Sequence, residues 1–297
     1  MKYFVAAGED RRLDATARRS LRGSYIRLSD GVTHYELTGP EGCDVVVLAG
    51  GLTIPLSYWD ELADELHARG LRTLAYSGYG RGYSDRAVAR YDEELFVRQL
   101  RELIERLELP RPCHLVGTSM GALVAMAYVS HHVASAATLT LVGPAGLSRR
   151  PALQRLFLGN DITTSIIAER VGRRILEHHL GHNVADPERA AALSAMVGDA
   201  YRYEGSIYAL FQTLQHFGLF SRAELYRHTG TLPVPKQLIW GRDDHVTPIN
   251  SLNQVRRLLQ PDQCHVIDDC GHMAPFERPA VVADQLVTFY DTFDRSA

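Results

Sequence analysis

Hydrophobic positions along this chain follow two periods in alternation. Short apolar runs rich in β-branched and aromatic residues fall at 24–28, 33–37, 44–49, 71–76, 113–116, 138–142, 236–240 and 263–267, and each is read as a strand. The later runs are apolar on both faces, as parallel strands buried beneath helices are. Between them the spacing turns helical. Trp59, Leu62, Ala63 and Leu66 recur at three and four, with Gly70 as the stop. Phe96, Leu100, Leu103, Ile104 and Leu107 do the same behind Asp92, an N-cap residue type, and a last helix opens at Pro279 with Val282, Leu286 and Phe289 on one face. Strand and helix alternating after an antiparallel beginning predict an α/β fold, with a mostly parallel eight-stranded sheet and helices on both faces.

One block breaks this rhythm. From 149 to 231 the period stays helical, notably over 162–180 and 201–214, and no convincing strand interrupts it. That predicts a helical insertion in a core made of 1–148 and 232–297. Its apolar side chains (Leu156, Phe157, Ile166, Ile167, Tyr208, Phe211, Phe217 and Phe220) exceed what a small isolated lid needs for its own packing.

Composition narrows the setting. With 297 residues, 45% of them hydrophobic, and a net charge of −3, the chain is long enough for one large domain or a core with a smaller lid. Its arginines are scattered, in pairs too short to follow a phosphate backbone, so nucleic acid is not an expected partner. The first residues carry no signal-peptide core and no stretch approaches a membrane span, which makes a cytoplasmic protein the default expectation. Cys43, Cys113, Cys264 and Cys270 stand singly, without metal-ligand or disulfide spacing. Cys113 and Cys264 are expected to be buried thiols. No metal or organic cofactor is expected.

Candidate chemistry sits at 117–121, Gly-Thr-Ser-Met-Gly, between the strand 113–116 and the helix-forming Ala122-Leu123-Val124-Ala125-Met126. A serine on such a strand–turn–helix is held with its hydroxyl above the sheet. A hydroxyl needs a base to take its proton and a carboxylate to orient that base. Two loops at the carboxyl ends of later strands offer them: Gly241-Arg242-Asp243-Asp244-His245-Val246-Thr247-Pro248 and Asp268-Asp269-Cys270-Gly271-His272.

Together with Val45 to Gly51, Tyr79 to Asp85 and Glu277-Arg278-Pro279, these segments resemble, in family order, the α/β-hydrolase superfamily in its cap-bearing serine esterase and monoacylglycerol-lipase-like branch. The resemblance implies Ser119 as nucleophile, Asp244 as triad acid, His272 as general base, and the backbone amides of Gly51 and Met120 as the oxyanion hole. It also implies a helical cap at 149–231. The chain departs from the family at Ala49, where histidine is usual, and at Ser77-Gly78, where aspartate is usual. The implied activity is hydrolysis of a carboxylic ester or thioester of a small, largely apolar substrate through an acyl-enzyme. C–C bond hydrolysis or acyl transfer with the same triad, or a scaffold serving as a ligand receptor or catalysing a non-hydrolytic rearrangement, are the alternatives. Peripheral lipid contact through the cap would show as an exposed apolar patch beside the pocket. His114, His131, His132, His178, His179 and His182 lack matching partners and are expected to be core or solvated. Tyr79 and Tyr83 are expected to shape their loop.

Overall fold

Each run read as a strand is a strand, and all eight join one sheet. A computed structural model describes residues 1–180 and 183–294. In chain order it contains α1 (Ala15–Ser20), β1 (Ser24–Leu28), β2 (Gly31–Thr38), β3 (Val45–Ala49), α2 (Asp60–Ala68), β4 (Arg72–Tyr76), α3 (Glu93–Arg106), β5 (Cys113–Thr118), α4 (Met120–His131) and β6 (Ala136–Val142). There follow α5 (Ala152–Phe157), α6 (Asp161–Leu180), α7 (Pro187–Ala200), α8 (Ser206–His216), α9 (Ala223–Gly230), β7 (Lys236–Gly241), α10 (Leu252–Leu259), β8 (Gln263–Ile267), α11 (Ala274–Glu277) and α12 (Pro279–Asp294). Strand order is β1-β2-β4-β3-β5-β6-β7-β8. The β1–β2 and β2–β4 pairs are antiparallel and the remainder parallel.

Some boundaries move for local reasons. β2 starts at Gly31 because Gly31 pairs with Leu28 across the hairpin. β5 runs on to Thr118, which pairs with Val142, so the strand delivers the chain directly into the turn at Ser119. Asp92 does cap α3, accepting from the Leu95 amide at 3.2 Å. The helix read over 201–214 begins instead at Ser206, because Gly205 takes φ +82° and turns the chain.

Side chains alternate across the strands and feed two cores. Val45 and Val47 point to the layer holding α3, α4 and α10, while Val46 and Leu48 point to the layer holding α2 and α12. α4 is apolar all round and buried from Met120 to Val129, which suits a helix sandwiched between the sheet and further helices. Helices α6 to α9, between β6 and β7, join these two cores: Tyr208, Ala209 and Tyr226 belong to the first, and Leu176, Leu193, Val197 and Phe211 to the second. α9 packs on α4 and α10, in the layer flanking the sheet. The N-terminal segment is tied to α8 by the buried Glu9 carboxylate, which accepts from Gly205 at 2.9 Å and Ile207 at 2.6 Å, beside a helix N-terminus.

Candidate active site

Ser119 stands in the turn between β5 and α4 with φ +52° and ψ −117°, a region that L-residues occupy only when their surroundings force it. Its amide donates to Val142 at 3.1 Å, and its carbonyl accepts from Ala122 and Ala145, both at 3.2 Å. The flanking glycines are what permit so tight a turn. A Cβ on Gly121 would stand 2.1 Å from the Ala49 carbonyl oxygen, and one on Gly117 would stand 2.5 Å from the Gly121 carbonyl oxygen. The Ser119 hydroxyl is half-exposed and makes no hydrogen bond among the described residues.

His272 and Asp244 meet at the neighbouring strand ends. The imidazole Nδ1 lies 2.8 Å from Asp244 Oδ2, with the two residues 2% and 3% exposed. The other carboxylate oxygen accepts from the amides of Val246 at 2.8 Å and Thr247 at 2.7 Å. The Thr247 hydroxyl adds a bond to Oδ2 at 2.7 Å. An Asp244 so anchored can accept a proton donor at Nδ1 and leave Nε2 as the basic nitrogen of a neutral imidazole. Asp243, by contrast, is exposed. Gly143, with φ +47°, passes so close that a Cβ there would stand 3.1 Å from Asp244 Oδ2 and 3.3 Å from His272 Nδ1. Glu277, buried, holds the histidine loop by accepting from Gly271 at 3.0 Å, Met273 at 3.1 Å and Ala185 at 2.9 Å. The His272 amide itself donates to Asn183 at 3.0 Å.

On the opposite side lies the loop after β3. Gly51 comes so near that a Cβ there would stand 3.3 Å from Ser119 Cβ. Neither its amide nor that of Met120, at the first position of α4, donates a hydrogen bond among the described residues. Two unspent N–H groups beside a serine, one at a helix N-terminus, form a place for negative charge. Arg81 secures this loop. It is 1% exposed and donates to the carbonyls of Leu52 and Tyr79, both at 2.7 Å, and to Thr213 Oγ1 of α8 at 2.9 Å. No carboxylate pairs with it among the described residues, and burial draws its pKa below the usual arginine value. The Ser77 hydroxyl accepts from the Leu56 amide at 3.1 Å and lies 3.2 Å from His34 Nδ1.

Above Ser119 is a cavity of about 270 Å³ whose walls include Leu52, Ala145, Ile175, Leu176, Leu210, Leu214, Leu219 and Phe220, with Thr53, Ser148, Gln154, His179 and Thr247 as its polar points. Residues 44–279 match the family described as the alpha/beta hydrolase fold. The chain belongs to that family. Among alpha/beta hydrolases it is 29% identical over 204 residues to the monoacylglycerol lipase ABHD6 of Bos taurus, a match covering 65% of this chain and 59% of that protein. The chain thus spans little more than half the length of the lipase relatives it matches. It is 26% identical over 274 residues to the 2-hydroxy-6-oxo-6-(2'-aminophenyl)hexa-2,4-dienoic acid hydrolase of Metapseudomonas resinovorans, covering 87% and 88%. A thermophilic esterase from Thermogutta terrifontis superposes with a TM-score of 0.75 at 21% identity over 92% and 99% of the two chains, a likeness of fold.

Among the expectations for single residues, those for His179 and Cys264 change. His179, expected to be core or solvated, lines the cavity from α6. His114 is a core histidine, stacked on Tyr290 at 3.7 Å. Tyr79 and Tyr83 do not line the cavity: Tyr79 is buried, and Tyr83 packs on His34 and Tyr203. Cys113 is buried, whereas Cys264 is only half-buried. Cys270 is buried two positions before His272, its thiol pushed up to about 12 by burial. His182 and the side chain of Leu156 lie outside the described residues. Three residues that serve the site, Thr247, Glu277 and Arg81, carried no independent signal in the sequence. All three lay within the motif segments, but only their contacts show what they hold.

Proposed function

We propose that this protein hydrolyses a carboxylic ester or thioester of a small, largely apolar substrate, with Ser119, His272 and Asp244 as its triad. The observation that carries the reading is the buried 2.8 Å contact between His272 and Asp244 at the same sheet edge as a serine on a strained turn, under an apolar cavity. His272 Nε2 takes the Ser119 proton as Oγ attacks the carbonyl carbon, and Asp244 holds the tautomer and offsets the imidazolium charge. The tetrahedral oxyanion is received by the Gly51 and Met120 amides. His272 then gives its proton to the leaving alcohol or thiol, and water repeats the sequence to free the acid and Ser119. In this reading 149–231 is the cap that shapes the acyl site on the core of 1–148 and 232–297.

The rim of that cap supports contact with an apolar phase. Val171 and Ile175 are exposed at one turn's spacing on α6, and Ile175 also reaches the cavity. Among the described residues no helix is long and apolar enough to cross a membrane. Cleavage of a dienoic acid, the substrate in the name of the Metapseudomonas relative, is the second reading, favoured by that relative's fuller coverage.

Intact mass after incubation with a fluorophosphonate tests the proposal, together with turnover of short and medium p-nitrophenyl esters. A single adduct that is absent in Ser119→Ala, with ester turnover by the parent protein, is expected. Folded protein giving neither adduct nor turnover overturns it.

A further inference from the structure

Among the polar side chains on the wall of the catalytic cavity, Thr53 differs from the rest. The Thr247 hydroxyl is engaged with Asp244 Oδ2 at 2.7 Å, Ser148 is exposed, and Gln154 and His179 are half-buried. Thr53 lines the same cavity and is only 2% exposed. Its hydroxyl makes no hydrogen bond among the described residues, yet its neighbours do not seal it off, so the side left open to it is the cavity. Threonine hydroxyls ordinarily bond to nearby backbone. Here that capacity is unspent, in a place where water has little access and an unmade hydrogen bond is costly.

The loop that carries Thr53 is fixed on both sides. Before it, the Leu52 carbonyl accepts from buried Arg81 at 2.7 Å. After it, Ile54 is buried and folds back over Gly50, where a Cβ would stand 3.1 Å from the Ile54 side chain, and the Leu56 amide donates to Ser77 Oγ at 3.1 Å. Two positions before Thr53 is Gly51, whose amide receives the carbonyl oxygen in the hydrolase reading, and two residues span at most about 7 Å of chain. A substrate carbonyl seated at Gly51 therefore brings only its nearest carbons within reach of the Thr53 side chain. Most of the surrounding wall is apolar, which suits an uncharged partner.

We propose that Thr53 is a substrate-contacting residue that selects an acyl chain bearing a hydroxyl on its second or third carbon, the ester carbonyl being the first. This rests on the hydrolase reading and narrows its substrate class. A threonine hydroxyl both donates and accepts, so it pairs with a substrate hydroxyl in either sense, whereas an unsubstituted chain leaves it without a partner. Held on one wall, it meets one face of the chain and so favours one enantiomer.

The test uses p-nitrophenyl hexanoate and the separate enantiomers of its 2-hydroxy and 3-hydroxy counterparts, so that every ester has the same leaving group. Comparing each variant with the parent protein cancels differences in intrinsic reactivity. In Thr53→Val, which keeps the shape and removes the hydroxyl, the kcat/KM ratio of the preferred hydroxylated ester to hexanoate is expected to fall about tenfold, and the preference between enantiomers to shrink with it. Thr53→Ser, which keeps the hydroxyl, keeps the parent preference, and a serine variant that behaves like the valine one overturns the hydrogen bond. A fall confined to the 2-hydroxy or to the 3-hydroxy pair identifies the carbon. Ratios equal in parent and Thr53→Val, or an equal loss on all the esters, overturn the proposal while leaving ester hydrolysis standing. Ligand-observed NMR of methyl 2-hydroxyhexanoate and methyl 3-hydroxyhexanoate against methyl hexanoate, measured in Ser119→Ala with and without Thr53→Val, separates the two ideas. If no ester is turned over, the hydrolase reading fails, yet a preference for a hydroxylated ester that Thr53→Val abolishes still supports the contact, and its absence overturns that too.

Discussion

The strand-end machinery and the helical wall above it are built in different ways. Around Asp244 and His272 much of the anchoring comes from backbone: two amides on one carboxylate oxygen, three on Glu277, a carbonyl contact at the His272 amide. The wall supplied by α5, α6, α8 and the loop after α8 touches the same cavity through side chains, most of them apolar. In the proposed hydrolase, chemistry belongs to this fixed frame and substrate shape to the side chains of the wall.

The sharpest break comes on the framework. Asp244→Asn keeps the volume but removes the acceptor that fixes the imidazole tautomer, so ester kcat should fall by roughly 10⁴-fold with the fold intact by circular dichroism. Retained activity would remove Asp244 from the mechanism.

A second framework prediction concerns acid stability. Burial pushes His34 down to about 4, whereas in the unfolded chain it protonates below about 6.5. The unfolded state therefore binds more protons between these values, and stability is lost as pH falls from about 6.5 to 4, by up to about 3 kcal/mol. His34→Gln should flatten that part of the curve of urea midpoint against pH. Glu9 acts with the opposite sign, because burial raises its pKa and favours the protonated carboxyl in the folded chain.

On the wall the effects should be smaller and selective. Leu210→Trp, which fills part of the inner cavity, should lower kcat/KM for octanoyl relative to acetyl esters about tenfold, measured on a common leaving group. Val171→Ser, on the exposed rim, should change stability by less than about 0.5 kcal/mol while reducing co-sedimentation with lipid vesicles. Equal losses on long and short esters in Leu210→Trp would erase the distinction between frame and wall.

The same contrast explains what could be read in advance. The strands were legible because runs such as 113–116 and 236–240 end in apolar residues and are bounded by proline and glycine, and α3 because Asp92 precedes a clean apolar stripe. α1 was not, since none of its residues is buried and no stripe exists. In α7 the buried positions, Leu193, Val197 and Ala200, are diluted among alanines. Ser119, Asp244 and His272 were legible as family-ordered segments, not as neighbours. The His272–Asp244 contact is created by the parallel pairing of β7 and β8, and the pairing of β5 with β6 and β6 with β7 sets Ser119 at the same sheet edge. Arg81 reaches Thr213 across 132 positions, and no local pattern announces such a bond.

The links from Asn183 and Ala185 to the histidine loop make one piece of the helical wall and the strand-end loop. That stretch follows α6 and is fastened to the His272 amide and the Glu277 carboxylate, so lifting it would drag the base out of line. Accommodation of a reactant therefore falls to the side chains of the far wall, Leu214, Leu219 and Phe220, which can turn without moving His272.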